Sequence, residues 1–275
     1  MATTAPVKQA RFLRVGPVIT GNDRLRFAQM GRALRQLQLL EAGRTAASWV
    51  RHEAWRFSPG RVFERRRERR AEREFDQQHG TDTQLAAHPQ PGDVASENFD
   101  AQYSYLATPV HKFRRLLAAL NLPFEAFAFI DFGSGKGRTL LLAGEQPFKR
   151  VTGVEYSQPL HAIAQANIRQ YRHRKAGRVE SVAGDAAAFA LPPDNLLIYC
   201  FNPFPEPVLA RVLENIADSA RARPRAILLV YLALERLHLG AEADDLAPGE
   251  RVLRSHGFGL RKVFQEFRVY EFTGG

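Results

Sequence analysis

The sequence predicts an α/β fold: a doubly wound, mostly parallel sheet with a C-terminal antiparallel strand pair, plus an N-terminal helical arm. Three observations carry that expectation. From His111 onward, short apolar runs alternate with segments of helical periodicity, the pattern of a parallel sheet covered by helices on both faces. The last two apolar runs are separated by a gap too short for a helix, as an antiparallel pair requires. The first hundred residues lack this alternation and are rich in arginine.

In chain order, apolar residues between Asp23 and Phe57 (Leu25, Met30, Leu34, Leu37, Ala42, Ala46, Trp49, Val50) recur at near-helical spacing and predict one or two amphipathic helices. Ser58-Pro59-Gly60 ends them. Glu64 to Glu74, ERRRERRAERE, sets opposite charges three and four residues apart, which supports a solvated helix. Such an arm either contacts nucleic acid or a membrane surface, or packs its apolar stripe on the main domain. Acids interrupt every basic run, which favours the second. His79 to Glu97 is polar with Pro and Gly and reads as a linker. The expected division is an arm and linker over 1–100 and a main domain over 101–275.

In the main domain, His111 to Leu120 reads as a helix and Ala126 to Phe132 as a buried strand ending at glycines. Arg138 to Gln146 is helical, Arg150 to Glu155 a second strand, Pro159 to Arg174 a helix and Arg178 to Val182 a third strand. Leu196 to Phe201 makes a fourth strand, Pro207 to Ser219 a helix and Ala226 to Leu232 a fifth strand. Gly259 to Phe264 and Phe267 to Phe272 are the closing pair.

Composition bounds the function. The 275 residues are 45% apolar, enough for one full core, and no run approaches the roughly 18 apolar residues of a membrane span, which argues against an integral membrane protein. The single cysteine, Cys200, allows neither an internal disulfide nor a cysteine-based zinc site, which fits a reducing cytoplasm. The first residues, MATTAPVKQARFLRVG, lack the apolar core of a secretory signal, and a cytoplasmic location is expected. The net charge of +10 admits an anionic partner without identifying one. The eight histidines show no metal-ligand spacing, and no metal is expected.

Ligands of such a sheet bind beyond the C-terminal ends of the strands, near the switch point. The first strand runs into Asp131-Phe132-Gly133-Ser134-Gly135-Lys136-Gly137-Arg138. Three alternate glycines let the backbone turn sharply and approach a ligand closely. A phosphate loop is excluded because Gly137, not Ser or Thr, follows the lysine, and the dinucleotide pattern fails because Arg138 stands where its last glycine belongs. An acid just before G-x-G-x-G suits a cationic amino-acid moiety. The second strand ends in Glu155, placed to accept from two ribose hydroxyls. After the third strand, Gly184-Asp185-Ala186 offers a carboxylate and an N–H to an adenine edge. Glu155 also reads as a helix-entry acid and Asp185 as an N-cap.

These strand ends resemble those of the class I, seven-strand family of S-adenosylmethionine-dependent methyltransferases, a Rossmann-like fold. The resemblance spans roughly Leu116 to Phe272. FIDFGSGKGRTLLLA, VTGVEYS and YCFNPF are similar to a bacterial group of such enzymes without a settled substrate, and more distantly to the non-SET histone lysine methyltransferases. The resemblance implies S-adenosyl-L-methionine as cofactor. Gly133, Ser134, Gly135 and Gly137 would line its methionine part, Asp131 would face its amino group, Glu155 would take the ribose, and Asp185 with Ala186 the adenine. FDQQHGTDT and Tyr103 to Pro109 also resemble that group, and by analogy Tyr105 and Thr108 would close over the cofactor carboxylate, or dock the arm.

The fourth strand leads into Asn202-Pro203-Phe204, which faces the transferable methyl in this fold and resembles the [DN]-P-P-[YF] motif of amino methyltransferases, with one proline missing. By that resemblance Asn202 and the Pro203 carbonyl would accept an amine's hydrogens while Phe204 walls in the substrate. An amine acceptor, a protein lysine above others, is the expectation. Nucleic acid or a small molecule is the alternative acceptor. A catalytically silent module holding nucleic acid through the basic arm, and an NAD-dependent oxidoreductase, are the other classes weighed.

Overall fold

The computed structural model describes residues 70–84, 106–201, 204–233 and 247–274. All belong to one compact unit, Ser58–Gly275. The amphipathic helices expected between Asp23 and Phe57, most of the linker, Tyr105, Asn202 and Pro203 lie outside the described residues.

Residues 70–79 are helical (α1). There follow α2 (Val110–Leu120), β1 (Phe127–Phe132), α3 (Arg138–Gly144), β2 (Arg150–Glu155), α4 (Gln158–Gln170), β3 (Val179–Ala183), β4 (Asn195–Phe201), α5 (Glu206–Ala222), β5 (Ile227–Leu232), α6 (Pro248–Ser255), β6 (Phe258–Phe264) and β7 (Phe267–Phe272). The strand order is β3-β2-β1-β4-β5-β7-β6. β1 to β5 pair in parallel, and β7 is antiparallel to both β5 and β6. The expected sheet, parallel with a C-terminal antiparallel pair, is the observed one. The chain winds outward from β1 to β3 and returns to lay β4 on β1's other side, so the switch point lies between β1 and β4.

Strand alternation sorts side chains into two cores. Phe129, Leu197, Tyr199, Leu228 and Val230 face α2 and α3, packed with Phe113, Leu116 and Leu140. Ile130, Phe132, Ile198, Cys200 and Leu229 face α5, packed with Leu209, Val212, Leu213 and Ile216. Both faces are covered, which is why the central strands read as near-continuous apolar runs.

The differences from expectation are local. α4 ends at Gln170 rather than Arg174. The residues after it turn back on the α3–β2 connection, with Lys175 N and Ala176 N donating to Gly144 O at 2.7 and 3.1 Å. α6 was not expected. Its first turn is set by Glu250, whose Oε2 accepts from Ala247 N at 3.0 Å. No helix among the described residues is long and apolar enough to cross a membrane.

Candidate active site

The loop leaving β1 is built on left-handed backbone. Gly133, Gly135 and Gly137 have φ of 82°, 53° and 82°, values that only glycine adopts without strain. Gly133 N and Ser134 N both donate to Val154 O, at 2.9 and 3.3 Å, which folds the loop over the end of β2. Gly137 N donates to Ser134 O at 2.9 Å, and Leu141 N to Gly137 O at 3.1 Å begins α3.

Glu155, the last residue of β2, buttresses this loop. Its Oε2 accepts from Gly135 N at 2.8 Å and its Oε1 from Ser157 N at 2.9 Å. Burial pushes its pKa up, opposed by the backbone hydrogen bonds from Ser157, Gly135 and Tyr156. A carboxylate has about four acceptor positions, so capacity remains for a ribose hydroxyl. Ser134 is buried with its hydroxyl turned onto β2, where a Cβ on Gly153 would sit 2.5 Å from Ser134 Oγ and 2.6 Å from Leu140 Cδ1. That hydroxyl has no hydrogen-bond partner among the described residues, so towards a ligand Ser134 offers backbone.

Gly153→Ala is therefore expected to destabilise the fold by about 1–3 kcal/mol, the usual cost of overpacking. Urea unfolding measures it, and an unchanged midpoint would show that the loop does not rest on β2 as closely as these distances say.

Asp131 lies on the α3 side of the sheet, 3% exposed, accepting a short hydrogen bond from Thr139 Oγ1 at the start of α3. Burial raises its pKa to about 7, the Thr139 bond opposes the rise and the Glu155 charge adds to it. Its register partner on β4 is Tyr199, whose hydroxyl pairs with Thr108 Oγ1 at 2.8 Å. Asp131, Thr108 and Tyr199 thus meet at one corner of the sheet, beside the glycine loop.

Beyond β3, Gly184 N donates to Glu155 O at 3.0 Å, which brings the third strand end against the second. Asp185 is exposed and its Oδ1 accepts from Ala187 N at 2.9 Å, the N-cap that the sequence left open as an alternative. Its other oxygen has no partner among the described residues. Ala186 is buried. A Cβ on Gly184 would meet nothing within 4 Å, so this corner borders open space. Phe204 is half-buried against the α5-side core. Cys200 is fully buried, and desolvation and the nearby Asp131 push its thiol well above the ordinary range, so it is a packing residue and not a nucleophile.

Two residues that the sequence weighed only against phosphate-loop and dinucleotide patterns flank Gly137. Lys136 Nζ pairs with Asp82 at 3.0 Å. Arg138 pairs with Glu72 and donates from Nε to Thr83 Oγ1 at 2.8 Å. The signal was there, in buried-loop cations without a phosphate motif and in the acids of FDQQHGTDT, but nothing local joined them.

Residues 129–222, from β1 to the end of α5, match the family model described as a methyltransferase domain. This part of the chain is a methyltransferase domain. The strand order is the one expected of the class I type, whose cofactor by the sequence resemblance would be S-adenosyl-L-methionine. The methyltransferase domain is also similar to solved structures. These include the magnesium protoporphyrin IX methyltransferase of Synechocystis PCC 6803 with bound cofactor, 18% identical over 58% of this chain and 74% of that one, with a TM-score of 0.39. A methyltransferase of Aquifex aeolicus is 15% identical over 58% of this chain and 89% of that one, TM-score 0.43. A glycopeptide N-methyltransferase is 16% identical over 62% and 92%, TM-score 0.45. No curated protein matches the chain in sequence.

The site itself fits the cofactor. Carboxylates stand at three successive strand ends of a protein whose net charge is +10, giving a local field suited to a sulfonium with an ammonium tail. Glu155 keeps acceptor capacity for a ribose, and the corner at Gly184 borders open space.

Proposed function

We propose that this methyltransferase acts on an amine nitrogen, with a protein lysine as the favoured acceptor. The observation that carries the reading is the pairing of β4 with β1, Asp131 opposite Tyr199, which brings the strand leading to Asn202-Pro203-Phe204 alongside the glycine loop. The cofactor supplies a methyl already activated on sulfur. What remains for the chain is to hold the acceptor's lone pair in line, a matter of proximity and orientation. Asn202 and the Pro203 carbonyl accept the amine's two hydrogens and so direct its lone pair, and Phe204 walls in the stem behind it. Desolvation at this apolar edge favours the neutral amine, which is the reactive form. Gly133, Ser134, Gly135 and Gly137 hold the methionine part through backbone, with Asp131 facing its ammonium and Tyr105 and Thr108 its carboxylate. Glu155 takes the ribose, and Asp185 with Ala186 takes the adenine.

Incubation of the protein with methyl-labelled S-adenosylmethionine and fractionated extract tests this. Label should enter protein, at lysine. Asn202→Ala should keep S-adenosylhomocysteine affinity and lower transfer by about tenfold, the scale of one lost orienting contact. Label in nucleic acid or small molecules instead would replace the lysine reading. No label anywhere, with the cofactor bound, would make the chain a silent binding module.

A further inference from the structure

We propose that residues 70–84 are a working part of the cofactor site: through Asp82 and Glu72 they hold Lys136 and Arg138, and so fix the glycine loop in its binding geometry. The inference rests on the cofactor assignment above. Lys136 and Arg138 stand on either side of Gly137 with side chains only 5% and 3% exposed. Charges so buried are costly unless paired. Their partners come from the chain upstream of the methyltransferase domain.

Arg138 is met by three groups of that segment. Glu72 takes one guanidinium nitrogen, Thr83 Oγ1 accepts from Nε at 2.8 Å, and Asp76 lies 3.8 Å away. Glu72 accepts from Val110 N at 2.9 Å with its other oxygen, so one carboxylate also caps α2. Asp76 shapes the turn, accepting from Thr81 Oγ1 at 2.7 Å, Thr83 N at 3.0 Å and Thr83 Oγ1 at 2.7 Å. Gly80, with φ of 65°, reverses the chain after α1. The motif FDQQHGTDT therefore builds a bracket.

Asn167 on α4 closes it. Its Oδ1 accepts from Asp82 N at 2.8 Å, while its Nδ2 donates to Asp82 O and to Lys136 O, both at 2.9 Å. Residue 136 is thus gripped by its carbonyl through Asn167 and by its ammonium through Asp82, whose oxygens lie 3.0 and 3.2 Å from Nζ. The neighbouring Gly135 N–H is the one that meets Glu155. A shift at 136 is felt at the ribose carboxylate one residue away.

The Asp82 side chain is itself 58% exposed. An exposed carboxylate contributes little to global stability, yet this one is the partner of a buried ammonium in the loop. Removing it leaves Lys136 to pull the loop towards water, and a small misplacement in a binding constellation is expensive. Asp82 is a positioning residue whose removal registers in affinity more than in melting temperature.

The experiment is calorimetry with S-adenosylhomocysteine on the full chain, paired with thermal melting and amide hydrogen exchange at Gly135 and Gly137 in cofactor-free protein. Asp82→Ala should weaken binding by about tenfold, move Tm by less than about 2 °C and speed exchange at both amides. Asp82→Glu should restore binding, and Asp82→Ala with Lys136→Met should recover most of it because no buried charge is left unpaired. Glu72→Gln, which touches Arg138, should weaken binding with a larger fall in Tm. Unchanged affinity and exchange in Asp82→Ala overturn the proposal. So does an affinity loss without faster exchange, or one that merely follows a fall in Tm. A wild-type chain that does not bind S-adenosylhomocysteine fails the cofactor assignment, while the exchange comparison still reads the clamp.

Discussion

Gly135→Asp is expected to abolish cofactor binding, with a loss of more than about 100-fold in S-adenosylhomocysteine affinity, or about 2.8 kcal/mol. Two effects add. Gly135 sits at φ 53°, where any Cβ is strained, so the loop backbone must move to accept the side chain. Its N–H is the donor to Glu155 Oε2 at 2.8 Å, so that movement also withdraws a hydrogen bond from a buried carboxylate. The new carboxylate then stands beside Glu155, two like charges where the cofactor's ribose must approach. Gly135→Ala, which brings the strain without the charge, should lose less, and the difference between the two isolates the electrostatic part. Calorimetry on both variants checks this. Binding of Gly135→Asp within tenfold of wild type would mean that the loop does not cradle the ligand.

The sheet was legible because its strands are buried on both faces and end at punctuation: AFAFIDF stops at glycines and LLIYCF at Asn-Pro. The candidate site was legible for the same reason, since Asp131, Glu155 and Asp185 each fall at a strand end that periodicity alone locates. What eluded it depends on pairs far apart in sequence. In ERRRERRAERE every acid has basic neighbours, and nothing local distinguishes Glu74, which makes an exposed pair with Arg70, from Glu72, which is buried on Arg138. The segment read as a solvated helix running into a linker. Burial of Glu72 and Phe75 instead commits α1 to the domain, and the turn after it carries the acid that holds the loop. α6 was missed because a helix of eight residues shows barely two turns of pattern, and its cap, Glu250 on Ala247 N, works through burial that the sequence does not display.

The same strand-end chemistry predicts an unusual pH dependence. Asp131 has a folded-state pKa of about 7, against roughly 3.9 for an unperturbed aspartate. The folded protein therefore holds a proton that the unfolded chain has already released over the interval between those values. Stability falls as pH rises through it, at about 1.4 kcal/mol per unit and by about 4 kcal/mol in all, and levels off above pH 7. Glu155, also raised by burial, acts in the same direction. Asp131→Asn keeps an acceptor for Thr139 and carries no charge. It should flatten most of this slope in urea unfolding from pH 5 to pH 8, and be more stable than wild type at pH 8. Binding should show the opposite sign. If the cofactor ammonium faces the Asp131 carboxylate, the proton must leave first, so wild-type affinity should rise by up to about tenfold per unit below pH 7 and plateau above it, while Asp131→Asn binds weakly at every pH. A site that sacrifices stability near neutral pH to keep a carboxylate ready for a cation is a stability–function trade-off located in one side chain. Parallel unfolding curves for wild type and Asp131→Asn would show that Asp131 does not titrate in this range. A stability difference without a binding difference would move the ammonium partner elsewhere.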